Sequence, residues 1–281
     1  MATELPIALS KVETAAGILF DADPSVRSVG IGVAADGFGY VAVRNTKAIV
    51  PLSTRTGGSA GQFPQYIEGI PVHVINSFAD PQNLVRVPNS GVGSPGTVSL
   101  VPEQQSHRPL VCGLQIQNYD QDVRSGDIGN GYMVIGTLGC FVKVASGEIA
   151  ILSNNHVVAG ENSGQIGDAI YQPGSATLDP TQHAASLSGF VALKTSPFGA
   201  SIAAGNVTLN EVDGGVAKLE VGVQYLQAYL PTRTASPPTG IAVASVGDKV
   251  HKVGRTTGLT YGTVKQVGTI VGPIPYTPGP C

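Results

Sequence analysis

The distribution of apolar residues predicts a short helix followed by many short strands. Between residues 5 and 20, apolar side chains recur at helical spacing, which indicates one opening helix. Two strand-like runs follow at 26–33 and 40–43, and the Asp-Gly pair at 36–37 between them is typical of a hairpin turn. A third apolar run at 71–75 completes the pattern of a small helix-plus-sheet unit.

The pattern changes after residues 80–108, which are rich in Pro, Gly, Asn and Ser and are interpreted as a linker. From about residue 111 onward, strand-like runs recur at short intervals, and Gly or Pro separates nearly all of them. These runs lie at 132–135, 140–144, 149–153, 216–219, 225–230, 241–244, 249–253 and 263–270. Regular short strands with turn signals favour a sandwich or barrel over alternating strands and helices.

Composition supports a mostly β fold and excludes several partners. Charged residues make up 12% of the 281 residues, and the chain has 37 Gly and 20 Pro. The net charge of −3 and the scattered basic residues predict no nucleic-acid partner. No apolar segment reaches the roughly 18 residues of a membrane helix, so no membrane partner is expected. The first residues lack the basic start of a secretory signal, which favours the cytoplasm. The low charge and the many glycines would suit an exported or phage-borne protein equally well, so the compartment is left open.

The cysteines indicate neither a disulfide framework nor a zinc site. Cys112, Cys140 and Cys281 form an odd, sparse set without the pairing that zinc ligands show. We therefore expect small buried thiols and predict no metal and no cofactor.

One segment predicts a β-hairpin that leads to a histidine. Apolar strands at 140–144 and 149–153 flank a turn at Gly147, and Asn154, Asn155 and His156 follow the second strand. A histidine at the end of a rigid strand can face a cleft, as a general base must. Taken alone, a histidine after a strand is more often structural, and His156 is a candidate general base.

An aspartate precedes another predicted strand. Asp213 stands between an apolar residue and two glycines, just before the run at 216–219. A carboxylate held there can accept a hydrogen bond from a histidine ring N–H, which selects the tautomer and stabilises the imidazolium. The alternative is an ordinary turn aspartate.

The glycine-rich stretch from Gly254 to Gly262 does not match a phosphate-binding loop. No lysine follows in the required register, and no helix begins after it. We therefore predict a hairpin that returns on itself. His251 lies within this strand pattern and is predicted to be structural.

Three motifs together resemble the trypsin-like serine peptidases, in particular a bacterial branch of that family. They are G-T-L-G-C at 136–140, L-S-N-N-H-V at 152–157 and V-G-R-T-T-G-L-T at 253–260, and the resemblance covers about residues 111–271. It implies a two-barrel β fold in which His156 is the general base and Asp213 orients it. The family usually has D-A-A-I-A where this chain has Asp213-Gly-Gly-Val-Ala, so the strand start departs from the family pattern.

The third member of the triad is missing from the sequence. In the trypsin-like template about 93 residues separate the aspartate from the serine, and fewer than that follow Asp213 here. No Gly-Asp-Ser-Gly segment occurs after Asp213, and Ser236 and Ser245 lie in Ala-Ser-Pro-Pro and Ala-Ser-Val-Gly. Ser125-Gly-Asp127 has the wrong order and the wrong place.

These observations predict a fragment of a serine endopeptidase that is truncated before its nucleophile and is therefore inactive as it stands. One alternative is a non-catalytic peptide-binding or scaffolding module on the same fold. A second alternative pairs Cys281, as nucleophile, with His156, although nothing after Cys281 would build an oxyanion hole.

The predicted fold class is mostly β, a two-barrel trypsin-like peptidase fold with the second barrel incomplete, preceded by a small α+β domain. Residues 1–105 form the N-terminal domain with its linker, and residues 106–281 form the peptidase domain. Within it, the first barrel spans about 111–215 and the partial second barrel about 216–281. The predicted catalytic residues are His156 and Asp213, and the predicted partner is a polypeptide substrate. Cleavage specificity and oligomeric state do not follow from the sequence.

Overall fold

A computed structural model shows a mostly β protein with several sheets. It describes residues 9–23, 25–34, 37–45, 63–77, 85–88, 101–196, 202 and 204–272. The described helices are α1 (Leu9–Ala22), α2 (Tyr119–Arg124) and α3 (Asn155–Val158). The described strands are β1 (Val26–Ala34), β2 (Gly37–Asn45), β3 (Tyr66–Ile67), β4 (Ile70–Ser77), β5 (Val85–Pro88), β6 (Gln115–Asn118), β7 (Tyr132–Thr137), β8 (Cys140–Lys143), β9 (Ile149–Ser153), β10 (Ala169–Tyr171), β11 (His183–Phe190), β12 (Gly215–Leu219), β13 (Lys249–Gly254), β14 (Gly258–Thr263) and β15 (Gln266–Val271). None of the described helices is long and apolar enough to cross a membrane.

The N-terminal part forms a five-stranded sheet in the order β15-β1-β2-β4-β3, with α1 packed on it. Apolar residues of α1, among them Val12 and Leu19, are fully buried in one cluster with Val29 of β1. The predicted helix is confirmed from Leu9 onward, and residues 5–8 lie outside the described part. The predicted hairpin is also confirmed, because β1 and β2 are antiparallel and Ala34 pairs with Gly37. Asp36 of the predicted turn lies outside the described residues.

The larger sheet has eight strands in the order β5-β7-β6-β10-β11-β12-β9-β8. Its core consists of fully buried apolar side chains. They include Leu110, Leu114, Ile116, Leu138, Ile151, Ile170 and Leu187. Because this core lies under β9 and β12, it gives a rigid base to the two segments that carry His156 and Asp213.

Three segments lie in other sheets or elements than the sequence predicts. The predicted linker at 80–108 contains β5, which pairs with β7. Strand β12, predicted to open the second barrel, lies between β11 and β9 in the eight-stranded sheet. Strand β15, predicted for the second barrel, pairs with β1 in the N-terminal sheet. The reason is the same in each case, since an apolar run can predict a strand but does not encode its distant neighbour.

Two predicted strands do not form. Residues 225–230 hydrogen-bond to the segment at 110–112, for example from Leu226 N to Leu110 O, but they make only an isolated bridge. Residues 241–244 are not a strand, and Ile241 and Val243 are exposed. An apolar run does not form a strand unless another segment pairs with its backbone N–H and C=O groups.

The region assigned to the second barrel contains one two-stranded sheet, made of β13 and β14. The predicted hairpin is therefore confirmed, with Gly254 paired to Gly258. Among the described residues the mostly β class is confirmed, and none of the sheets is closed.

Two glycines provide room for α3 above the sheet. A Cβ on Gly136 would lie only 2.3 Å from a methyl group of Val157, and one on Gly215 would lie 2.6 Å from a methyl group of Val158. Both valines are buried residues of α3. The glycine at the start of β12 therefore allows α3 to approach the sheet closely.

We expect Gly136→Ala to lower the free energy of unfolding by about 1–3 kcal/mol, because the new methyl group would push Val157 and α3 off β7. Gly189→Ala is the matched control, since a Cβ there meets only Val216 at an ordinary 3.6 Å. Urea titration of both variants measures the difference. Equal denaturation midpoints for Gly136→Ala and Gly189→Ala would contradict the close approach of α3.

Candidate active site

The register of β9 and β12 brings His156 and Asp213 together. These strands are antiparallel, and Gly215, the first residue of β12, pairs with Ser153, the last residue of β9. The chain leaving β9 turns at Asn154 into α3, which carries His156, while Asp213 lies just before β12. Both side chains therefore emerge from the same end of the strand pair.

The two side chains are in direct contact. His156 Nδ1 lies 2.5 Å from Asp213 Oδ2. The backbone N–H of His156 donates to the other carboxylate oxygen, Oδ1, at 3.2 Å. Asn154 donates from its side chain to the backbone carbonyl of Asp213 at 3.0 Å. The exposed fractions of 21% for His156 and 26% for Asp213 leave the pair held by the protein yet reachable from solvent.

Several opposing effects set the pKa of Asp213. Partial burial raises it, while the hydrogen bond and charge of His156 lower it, as do backbone N–H groups of His156 and Asn155. The result is a pKa below the usual range for an aspartate. The side chain is therefore an ionised acceptor at neutral pH.

The ionised carboxylate determines the tautomer of the histidine. An ionised carboxylate only accepts hydrogen bonds, so Nδ1 of the neutral His156 ring carries the proton and Nε2 has the free lone pair. Among the described residues, Nε2 has no hydrogen-bond partner. The arrangement leaves a ring nitrogen able to take a proton from a donor within hydrogen-bond reach.

None of the serines considered in the sequence is hydrogen-bonded to His156. Ser125 donates to Asp127 at 2.6 Å beside the end of α2. Ser245 lies in a turn, where its N–H donates to Asp248. The carbonyl of Ser236 lies 2.9 Å from Nε2 of His251. Cys281 lies outside the described residues.

His251 lies on β13 and is exposed. Its ring also lies near those of Tyr229 and Tyr261, with centroids 6.0 Å away in each case. Its Nε2 faces the Ser236 carbonyl, which only accepts, so this nitrogen carries a proton. These contacts give His251 a packing role on the surface of the hairpin.

A second histidine, on β11, lies close to an acid that directly follows β12, but the two do not form a comparable site. His183 Nε2 is 3.6 Å from Glu220, and the hydroxyl of Ser186 donates to the same carboxylate at 2.5 Å. Nε2 also lies 3.1 Å from the carbonyl of Ala185, which only accepts, so this nitrogen carries the proton. The Ser186 hydroxyl therefore donates to the carboxylate and not to a histidine nitrogen, unlike the serine of a Ser-His-Asp triad.

Two buried ion pairs were not anticipated from the sequence. Asp168, 5% exposed, binds Arg124, and Glu103, fully buried, binds Arg233 at 2.6 and 2.8 Å. No spacing of charged residues in the sequence predicts either pair, because the two partners are far apart in the chain.

The described part of the chain offers no cluster of three or more His, Cys, Asp or Glu side chains that would hold a metal ion. Cys112 is a buried free thiol, as predicted, and burial raises its pKa to about 11. Cys140 is a free thiol that is partly buried. A thiol with so high a pKa is a poor nucleophile at neutral pH.

The chain matches no protein-family model, and no curated protein matches it significantly.

Proposed function

We propose that His156 and Asp213 are the general base and the orienting acid of a trypsin-like serine endopeptidase. The observation that carries this proposal is the contact between His156 Nδ1 and Asp213 Oδ2 at 2.5 Å, with Nε2 left without a partner among the described residues. The order of the motifs around the two residues adds to it.

The eight-stranded sheet is proposed as the first barrel of such a peptidase. Its strand order does not close, but contacts link the two ends. Gly139 N donates to Leu152 O at 3.0 Å, and the Ser153 hydroxyl donates to Thr137 O at 2.8 Å. The first bond extends the pairing of β8 with β9. The second connects the end of β7 with the end of β9, next to the start of α3, and thus supports a curved sheet around one core.

The hairpin of β13 and β14 is proposed as part of the second barrel. Its turn is docked on the eight-stranded sheet, because Arg255 donates to Gln115 at 2.9 Å and to Thr137 through its backbone N–H at 3.2 Å. Val253 of β13 lies directly against Gly113, where a Cβ would be 2.4 Å from a valine methyl group. The motif around Arg255 thus lies close to the strand ends near the site.

In the proposed reaction a serine hydroxyl attacks the carbonyl carbon of a peptide bond while His156 Nε2 takes its proton. His156 then gives this proton to the leaving amine, and water regenerates the serine in the second half of the reaction. Asp213 holds the ring and stabilises the imidazolium. No cofactor is needed. Because none of the 281 residues lies in a Gly-Asp-Ser-Gly segment, the proposal includes a serine from outside them.

We expect the purified 281-residue chain to leave casein unhydrolysed and to remain unlabelled by a fluorophosphonate probe, because it lacks the nucleophile segment. Sequencing of the coding DNA beyond codon 281 completes the test. An in-frame Gly-Asp-Ser-Gly, with probe labelling of the longer protein that His156→Ala abolishes, supports the peptidase. A stop codon at that point, with reversible peptide binding by the chain, would replace it with the non-catalytic module. Hydrolysis that resists serine-directed inhibitors but is lost in His156→Ala would point to Cys281 instead.

A further inference from the structure

The residue before His156 makes an unusually complete set of hydrogen bonds. Asn155 is fully buried. Its side-chain NH₂ group donates to Val191 O at 2.7 Å and to Asn162 Oδ1 at 2.8 Å, and its Oδ1 accepts from Asn162 N at 3.1 Å. Both donor hydrogens are therefore used inside the protein.

Asn162 continues the same network on the other side. Its side-chain NH₂ group donates to Leu193 O at 2.7 Å, and its Oδ1 accepts from Leu193 N at 2.8 Å. Asn162 has a φ of 77°, in a turn that begins with Gly160 and Glu161 at φ 49° and 57°. Three consecutive left-handed residues thus place an amide between α3 and the segment at 191–193.

That segment leads back to Asp213. Val191 donates its backbone N–H to Gly214 O at 2.9 Å, directly after the aspartate. Asn155 therefore binds one side of Val191, and the strand start beside Asp213 binds the other. The buried amide connects the helix that carries the base with the segment that carries the acid.

We propose that Asn155 and Asn162 are positioning residues that form an amide clamp, which holds the His156 ring against the Asp213 carboxylate. The catalytic meaning of the clamp rests on the proposed function, but its effect on the contact between the two side chains does not. Such a contact depends steeply on distance and angle. In an enzyme, misplacement of a reacting group by about 1 Å costs about 100-fold in rate.

The test is the ¹H NMR signal of the His156 Nδ1 proton in the full 281-residue chain. A ring N–H that donates to a carboxylate resonates far downfield and exchanges slowly, and His156→Ala identifies the signal by removing it. Asn162→Gly deletes the clamp amide without strain, because glycine tolerates a φ of 77°. We expect the signal to be lost in Asn162→Gly and in Asn155→Ala.

Two control variants separate positioning from general loosening of the fold. Glu161→Gly adds a glycine to the same left-handed turn but leaves both clamp amides in place. Gln172→Ala removes another fully buried amide, which donates to Gln105 O and accepts from His107 N, away from α3. The signal should persist in both.

Persistence of the signal in Asn162→Gly would overturn the clamp, even if Asn155→Ala did not fold. Loss of the signal in Gln172→Ala would overturn it too, since any buried amide would then have the same effect. Failure of the proposed function is recognised separately. A longer protein that no serine-directed probe labels would exclude the peptidase, whatever the NMR signal shows.

Discussion

Asp213→Asn should lower the rate of peptide hydrolysis about 10⁴-fold in a form of the protein that carries the serine nucleophile. The backbone N–H of His156 donates to Asp213 Oδ1, so the oxygen of an asparagine would take that place and its NH₂ group would face Nδ1. Nδ1 would then have to accept, and the proton would move to Nε2. A ring with a proton on Nε2 cannot take one from a serine.

The control for this prediction is Asp179→Asn. Asp179 is exposed, and its side chain accepts from the backbone N–H and the hydroxyl of Thr181, so the same chemical change there should leave the rate unchanged. The measurement is kcat and kcat/KM for one fluorogenic peptide at neutral pH. If Asp213→Asn keeps a rate near that of the unaltered protein, another group orients His156 and the role assigned to Asp213 is wrong.

Arg233→Ala should lower the free energy of unfolding by about 3–5 kcal/mol. Glu103 has no exposed surface, and both of its carboxylate oxygens accept from Arg233, at 2.6 and 2.8 Å. The guanidinium also lies against the turn of the β13–β14 hairpin, where a Cβ on Gly258 would be 2.9 Å from it. Truncation of Arg233 leaves a buried carboxylate without its partner and also loosens the hairpin.

Chemical denaturation measures this loss, and two further variants identify its cause. Arg233→Lys keeps the positive charge but cannot make the bidentate contact of a guanidinium with a carboxylate. The free energy of unfolding should therefore fall by an intermediate amount. Glu103→Leu combined with Arg233→Met removes both charges at similar volume and should recover most of the stability. A double variant as unstable as Arg233→Ala would show that packing, rather than the unpaired carboxylate, causes the loss.

Local structure was predictable from the sequence where the apolar spacing and the turn residues that specify an element all lie in one short segment. The helix at α1, the β1–β2 hairpin, the β8–β9 hairpin and the β13–β14 hairpin all follow from apolar spacing and turn residues. In each hairpin the two strands are neighbours in the chain. Their pairing therefore needs no information from elsewhere.

The candidate site was partly predictable. His156 and Asp213 were found because each precedes or follows a strand in a recognisable motif, and the structure places them in contact. Their proximity depends on the pairing of Gly215 with Ser153, which the sequence does not contain. Asn155 lies within the L-S-N-N-H-V motif and Asn162 lies in none, and in neither case does the sequence show that the side-chain amide links α3 to the segment at 191–193.

By itself the sequence determined the elements whose apolar spacing and turn residues lie in one segment, namely α1 and the hairpins β1–β2, β8–β9 and β13–β14. Side-chain alternation and turn chemistry are local properties of the chain. Only the tertiary structure decided which strands are neighbours, as β5, β12 and β15 show. Strand partners are selected by the burial of a shared core and by backbone bonds between distant segments. The contact between His156 and Asp213 is a consequence of that selection.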